Sequence, residues 1–308
     1  MIPSLEKEFS DGLGLAVERL AFIQENAYCA IYRAECGGEA AIIKKYKGDD
    51  PRLASLEAQA VDFYHELVAD RSAFLDSRTI RFEPAHNLVC ISFVPGVSFA
   101  DYLYGVRGDA ERQRQARQWM ALLAELLEAM RLKTSDPAAT TDPFLFEYFD
   151  YCTRRLRSIP LLGATAFRHE VERGNETVAA FRAASPVPSF IHGDFVFRNI
   201  HVHGDRIGLI DFANTNAASH VLNDVYNLRI GLGNMLLPAA FKRELWAAFE
   251  ERFDPARFDA AVHRFYFEYH RRRWLMLNWR TRDPRRWLRA VRGMNAFARP
   301  WPEGTRNE

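Results

Sequence analysis

Apolar and polar positions in the first part of the chain fall mostly into short, strand-like runs. "YCAIYRAEC" (Tyr28–Cys36) and "EAAIIKKY" (Glu39–Tyr46) flank Gly37-Gly38, the arrangement of two strands joined by a two-residue turn. Leu53, Leu56, Ala60, Phe63 and Leu67 recur at helical spacing and predict a helix over Arg52–Asp70. "TIRFEPAHNLVCISFV" (Thr79–Val94) reads as two further strands around a Pro84-Ala85-His86-Asn87 turn. "PGVS" at 95–98 breaks the pattern. Helical spacing then dominates, as over Glu111–Met130, and only 190–212 interrupts it with short strands. These elements predict an α+β chain, with a strand-rich N-lobe over 1–94 and a mainly helical C-lobe over 95–308.

A length of 308 residues suits one large domain or two lobes, and 48% apolar residues supply a sizeable core. The net charge of +1 carries no information about nucleic acid. Cys29, Cys36, Cys90 and Cys152 are scattered without a CxxC pair, which fits reduced thiols better than a disulfide frame or a zinc site. The first residues include Glu6, Glu8 and Asp11 and show no basic-then-apolar leader. No apolar run approaches the roughly 18 residues of a membrane helix, so the expected location is cytoplasmic, without a transmembrane segment. The lone "GLGL" (12–15) and "GLGN" (231–234) lack the strand-turn-helix setting of a dinucleotide site.

The chemistry concentrates in "FIHGDFVFRNIHVHGDRIGLIDF" (Phe190–Phe212). "NIHVHGDRIGLIDF" reads as a hairpin turning at Gly204-Asp205, so Asn199 at its entrance and Asp211 at its exit can converge. Two oxygen donors of this kind suit Mg²⁺, which takes one or two protein ligands together with waters and phosphates. Asp194, on the loop before, is left to accept a proton. That combination serves phosphoryl transfer.

"HGDFVFRN" followed by "LIDF" resembles the HGDxxxxN and IDF motifs of the aminoglycoside phosphotransferase and choline kinase family, relatives of protein kinases. "ENAYCAIYRAECGGEAAIIKKY", "SLEAQAVDF", "ISFVPG" and "LNDVYNL" are similar to that family's nucleotide loop and lysine strand, ion-pair helix, hinge and bracing aspartate, in the same order. The resemblance implies a protein-kinase-like two-lobed fold and a kinase acting on a small molecule through a hydroxyl acceptor. ATP, or GTP as in some relatives, would be the donor, with Mg²⁺. It implies Asp194 as catalytic base and Asn199 and Asp211 as metal ligands, with His192 supporting the loop backbone. It further implies Lys44 on the phosphates with Glu57 as its partner, and Asp224 as the brace. Asn26 and Ala27 would lie over the phosphates, and the backbone at Ser92 and Val94 would meet the base. Arg198, in the variable part of the loop, is a candidate contact to phosphate or substrate and otherwise a solvent-facing arginine. The expected partner is a small molecule and no nucleic acid; oligomeric state is unknown from the sequence.

Some readings stay open on the residues alone. Strand alternation puts Ala40, Ile42 and Lys44 on one face and Ala41, Ile43 and Lys45 on the other, and both faces are equally apolar. The resemblance favours Lys44. Asp62 and Glu66 compete with Glu57 on the same helix. His201 and His203 share a strand face and read as exposed hairpin histidines, with no third ligand close by. The chain departs from the family in lacking a glycine-rich loop after Phe22, in having Met130 where many relatives carry a Leu-His pair, and in lacking Gly-Asp-Pro after Asp211. Substrate identity therefore does not carry over: a sugar, choline or lipid-headgroup kinase and an antibiotic kinase are all compatible. A nucleotide-binding pseudokinase and a metal-dependent phosphohydrolase are the readings from other classes. Asp254–Arg299 holds twelve arginines against four acids, which points either to an anionic acceptor or to arginines reaching out from a packed helix.

Overall fold

The computed structural model describes residues 2–48, 50–106, 108–157 and 164–280. The chain begins with α1 (Ile2–Leu13), β1 (Val17–Glu25), β2 (Cys29–Cys36), β3 (Glu39–Tyr46) and α2 (Arg52–Val68). It continues through β4 (Thr79–Glu83), β5 (Leu88–Ser92), β6 (Val97–Ser98), α3 (Phe99–Gly105), α4 (Ala110–Thr134), α5 (Phe144–Arg157) and α6 (Ala164–Ala184). Then come β7 (Ser189–Ile191), β8 (Ile200–His203), β9 (Arg206–Leu209), β10 (Asn216–Ser219), α7 (Leu222–Asn234), α8 (Ala239–Glu250) and α9 (Ala260–Arg280). Two compact units result, one of residues 1–102 and 198–215, the other of residues 103–197 and 216–308.

In the first unit five antiparallel strands lie in the order β1-β2-β3-β5-β4. β2 and β3 pair in unbroken register from Cys29↔Tyr46 to Cys36↔Glu39, across the two-glycine turn. α1 covers one face: Phe9 and Leu13 pack into a core with Val17, Leu20, Ala41, Ile43, Leu88 and Cys90. α2 lies against β3, β4 and β5 and buries Ala54, Glu57, Ala58, Val61, Tyr64 and Val68 at helical spacing. Two of these elements, α1 and β1, go beyond the elements expected from the pattern.

The expected lobe boundary near residue 95 differs from the observed division. Residues 198–215 belong to the first unit because the β8–β9 hairpin pairs with β6 (Val97↔Val202, Ser98↔His201) and bridges Ile207 to Phe74. Gly96 makes the close passage possible: it sits at φ +107°, and a Cβ there would stand 2.2 Å from the carbonyl oxygen of Val202. Tyr64 fastens the hairpin to α2, its hydroxyl donating to the Leu75 carbonyl (2.9 Å) and accepting from the Leu209 N–H (3.3 Å).

The second unit is helical, with β7 and β10 paired as a short antiparallel ribbon. α4 packs on α8, and α5, α6 and α7 pack on α9. Rings of Phe149, Phe181, Phe265 and Tyr266 form the aromatic centre of that packing, with Phe181 and Phe265 centroids 4.2 Å apart. α7 is buried almost all round, which lets Asp224 and Asn227 point polar groups inside the unit. All four cysteines are buried and none of them forms a disulfide. Among the described residues no helix is long and apolar enough to cross a membrane.

Candidate active site

β3 delivers Lys44 to the α2 side of the sheet. Its ammonium is buried, 2.5 Å from Glu57 Oε1 and 2.8 Å from Asp211 Oδ1. Burial opposes the charge, but Glu57 and Asp211 outweigh it and hold the lysine above its ordinary pKa. Glu57 is fully buried, and its second oxygen accepts from the phenol of Tyr46, two residues along β3 on the same face. Asp62 is occupied elsewhere, accepting from the Thr79 N–H. Lys45 points to the opposite face, beside Phe9 and paired with Glu8 of α1.

The hairpin brings Asn199 and Asp211 together as its expected turn implies: the Ile210 N–H donates to the Asn199 carbonyl at 2.9 Å. Asp211 adopts a left-handed backbone (φ 64°, ψ 67°), unusual for a residue with a side chain, and keeps 40% of that side chain exposed. Asn199 is buried.

These groups line one cavity of about 600 Å³ within the first unit. Lys44, Glu57, Asn199 and Asp211 give it polar side chains, and Arg198 lies beside them with its side chain exposed. Ile31, Ile42, Ile91 and Val94 add apolar side chains to the lining, Ser92 lies among them, and Asn26 of the β1–β2 loop also lines the cavity. The Asn26 carboxamide accepts from the N–H groups of Tyr28 and Cys29 (2.8 and 2.9 Å), so it shapes its own loop. Ala27 is exposed on that loop and outside the lining. His201 departs from the exposed hairpin histidine expected: it is half-buried, lines the cavity and hydrogen-bonds the Val94 backbone, and burial lowers its pKa.

Asn199 and Asp211 offer two hard oxygen donors in the lining of a cavity, which fits Mg²⁺ completing its shell with waters and phosphate oxygens. Among the described residues no group of three or more His, Cys, Asp or Glu side chains could hold a metal alone.

Asp194 belongs to the second unit. It is buried, and its N–H donates to His192 Nδ1 at 3.4 Å. Asp224, at the start of α7, accepts from the N–H groups of His192 (2.6 Å) and Gly193 (2.9 Å), bracing the loop that carries Asp194. Burial pushes Asp224 up to about 7, against those two N–H contacts. Arg273 of α9 approaches Asp194 Oδ1 to 3.3 Å. Spacing within α9 gave no sign of this pair, although the arginine run marked the segment. Among the other described arginines of the 254–299 segment, Arg257 pairs with Glu128, and Arg271 and Arg272 pair with Glu268. Arginines from 282 onward lie outside the described residues.

The model of the phosphotransferase enzyme family matches residues 75–275, well over half of the chain. The chain belongs to that family. Among solved structures, the amicoumacin kinase hAmiN in complex with AMP-PNP, Ca²⁺ and Ami is 14% identical, with a TM-score of 0.61, covering 95% of this chain and 92% of that one. An apo thermostable mutant of aminoglycoside phosphotransferase APH(4)-Ia is 16% identical, with a TM-score of 0.60 over 94% and 97% of the two chains. The gentamicin complex of APH(2")-IIa is 14% identical, with a TM-score of 0.57 over 95% of each. These likenesses give the phosphotransferase family member the α+β, kinase-like fold of the aminoglycoside phosphotransferases. A comparison with curated proteins finds no match.

Proposed function

We propose that the protein transfers the γ-phosphoryl group of ATP or GTP to a hydroxyl of a small molecule. The observation that carries this reading is Lys44, buried and charged between Glu57 and Asp211 in a cavity lined otherwise largely by apolar side chains. A nucleotide fits such a cavity with its base against Ile31, Ile42 and Ile91 and its phosphates toward Lys44. Bound at Asn199 and Asp211, Mg²⁺ would supply charge neutralisation on the phosphates. Lys44 anchors the phosphates, and Glu57 with Tyr46 fixes its direction.

Asp194 orients the acceptor hydroxyl and takes its proton. The acceptor oxygen forms a bond to the γ-phosphorus as the bond from that phosphorus to the β–γ bridging oxygen breaks, leaving the nucleoside diphosphate. Asp224 keeps the Asp194 loop in place through its two backbone contacts. Most of the rate would come from positioning and fixed charge.

The test is transfer of labelled γ-phosphate to a panel of amino alcohols, sugars, hydroxy acids and antibiotics, by wild type and by Asp194→Asn. A general base contributes about 10²–10⁴-fold. The variant should lose turnover by that order and keep nucleotide binding. Near-normal turnover by Asp194→Asn on the accepted substrate would remove Asp194 from the role.

A further inference from the structure

Arg273 stands beside Asp194 in a way that bears on the acceptor. Its Nη2 lies 3.3 Å from Asp194 Oδ1 and its Nη1 lies 3.4 Å from Asn227 Oδ1. The guanidinium also meets the phenol of Tyr148, and Tyr269 lies close to it. Charge-assisted N–H···O contacts settle near 2.7–2.9 Å, so both of these contacts are loose. Arg273 keeps 21% of its side chain exposed, against 6% for Asp194. The fork is therefore held in position, open to solvent, and not drawn fully onto its present partners.

Asp224 is turned onto the loop backbone, and His270, fully buried, is held neutral by that burial. On α5, next to Tyr148, Asp150 is paired with Arg154 at 3.0 Å. A polycationic acceptor would meet Arg273 as a like charge. The arginine also carries a cost for the base: a cation on its carboxylate stabilises the ionised form and weakens its pull on a hydroxyl proton. That cost disappears when another anion occupies the fork.

The geometry points to an acceptor alcohol that carries its own carboxylate or phosphate: this group binds the Arg273 guanidinium and releases Asp194 to the acceptor hydroxyl. Five N–H donors in a planar fork match two oxygens of such a group. The role of the released Asp194 rests on the phosphotransferase reading; the anion site at Arg273 does not.

Calorimetric titration of the full chain with inorganic phosphate and with glycolate tests the site, with and without AMP-PNP and Mg²⁺ in the nucleotide cavity. Wild type should bind at least one of the two anions with the nucleotide analogue bound, and which one binds identifies the anionic group. Arg273→Gln should weaken that binding about tenfold or more, the scale of a lost hydrogen bond to a charged group. Arg273→Lys, which keeps charge and loses the fork, should fall between, and it carries the comparison if Arg273→Gln does not fold. Nucleotide affinity should be the same in all three proteins. Absence of anion binding by wild type, or equal binding by a folded variant, overturns the inference. Failure of wild type to bind nucleotide would sink the phosphotransferase reading instead, and leaves the nucleotide-free anion titration to decide the Arg273 site.

Discussion

The phenol of Tyr46 donates to one oxygen of Glu57 while the ammonium of Lys44 holds the other. Lys44 and Tyr46 are two apart in β3, so strand alternation turns both toward α2. The carboxylate is thus fixed from two sides inside a buried site, and the direction of Lys44 depends on both contacts. Tyr46→Phe keeps the ring and removes one hydrogen bond to a buried charge, a loss of about 1.5–3 kcal/mol. Urea unfolding should show that loss, and titration with a fluorescent nucleotide should show severalfold weaker binding. Unchanged affinity with reduced stability would confine Tyr46 to a packing role.

Much of this arrangement is legible in the sequence, and the part that is not has a physical reason. The β2–β3 hairpin, the α2 helix and the Asn199–Asp211 hairpin follow from periodicity and turn residues, because each is local. The choice between Lys44 and Lys45 does not, because it depends on what covers each face. α1 decides it: Leu5, Phe9 and Leu13 recur at helical spacing, and α1 takes the face carrying Ala41, Ile43 and Lys45. Reading that short N-terminal pattern as a helix would have settled the lysine. Arg273 was out of reach for a different reason: its contact with Asp194 joins residues seventy-nine positions apart, and no local pattern encodes it.

The two lysines should therefore separate cleanly on substitution. Lys44→Met leaves Glu57 buried with its main cationic partner gone, a change that typically costs about 3–5 kcal/mol. Lys45→Met breaks a solvent-exposed pair with Glu8, worth about 0–1 kcal/mol. Nucleotide affinity should collapse in the first variant and hold in the second. Comparable losses in both would mean that the cavity is not where the nucleotide binds.

Asp211 and Asn199 should differ in their response to metal. Asp211 brings a half-exposed carboxylate to the cavity, and Asn199 brings a neutral amide. Asp211→Ala should abolish the Mg²⁺-dependent part of nucleotide affinity, and Asn199→Ala should reduce it less. Titrations with Mg²⁺ and with EDTA separate the two contributions. Equal Mg²⁺ dependence in wild type and Asp211→Ala would exclude Asp211 as a ligand.

Acid should unfold the protein through its buried histidines. His220 is buried against Tyr266 and Phe258, and its Nδ1 accepts from the Leu222 N–H at 3.2 Å. Burial, reinforced by His263, Arg131 and Arg257, lowers its pKa to about 3. His263 and His270 are also lowered, mainly by burial. Above about pH 6.5 these rings are neutral in both folded and unfolded chains, and they add no pH dependence. From there down to about pH 3 the unfolded chain protonates His220 and the folded chain does not, so stability falls as pH falls, and the lowered His263 and His270 act in the same direction. His220 contributes a slope of up to about 1.4 kcal/mol per pH unit in that window. His220→Asn keeps a side-chain acceptor near the Leu222 N–H and removes one titration. Its unfolding free energy, measured in urea from pH 7 down to pH 4, should fall less steeply than that of wild type by about that amount per unit. Parallel curves for the two proteins would show that His220 takes up its proton without unfolding the chain.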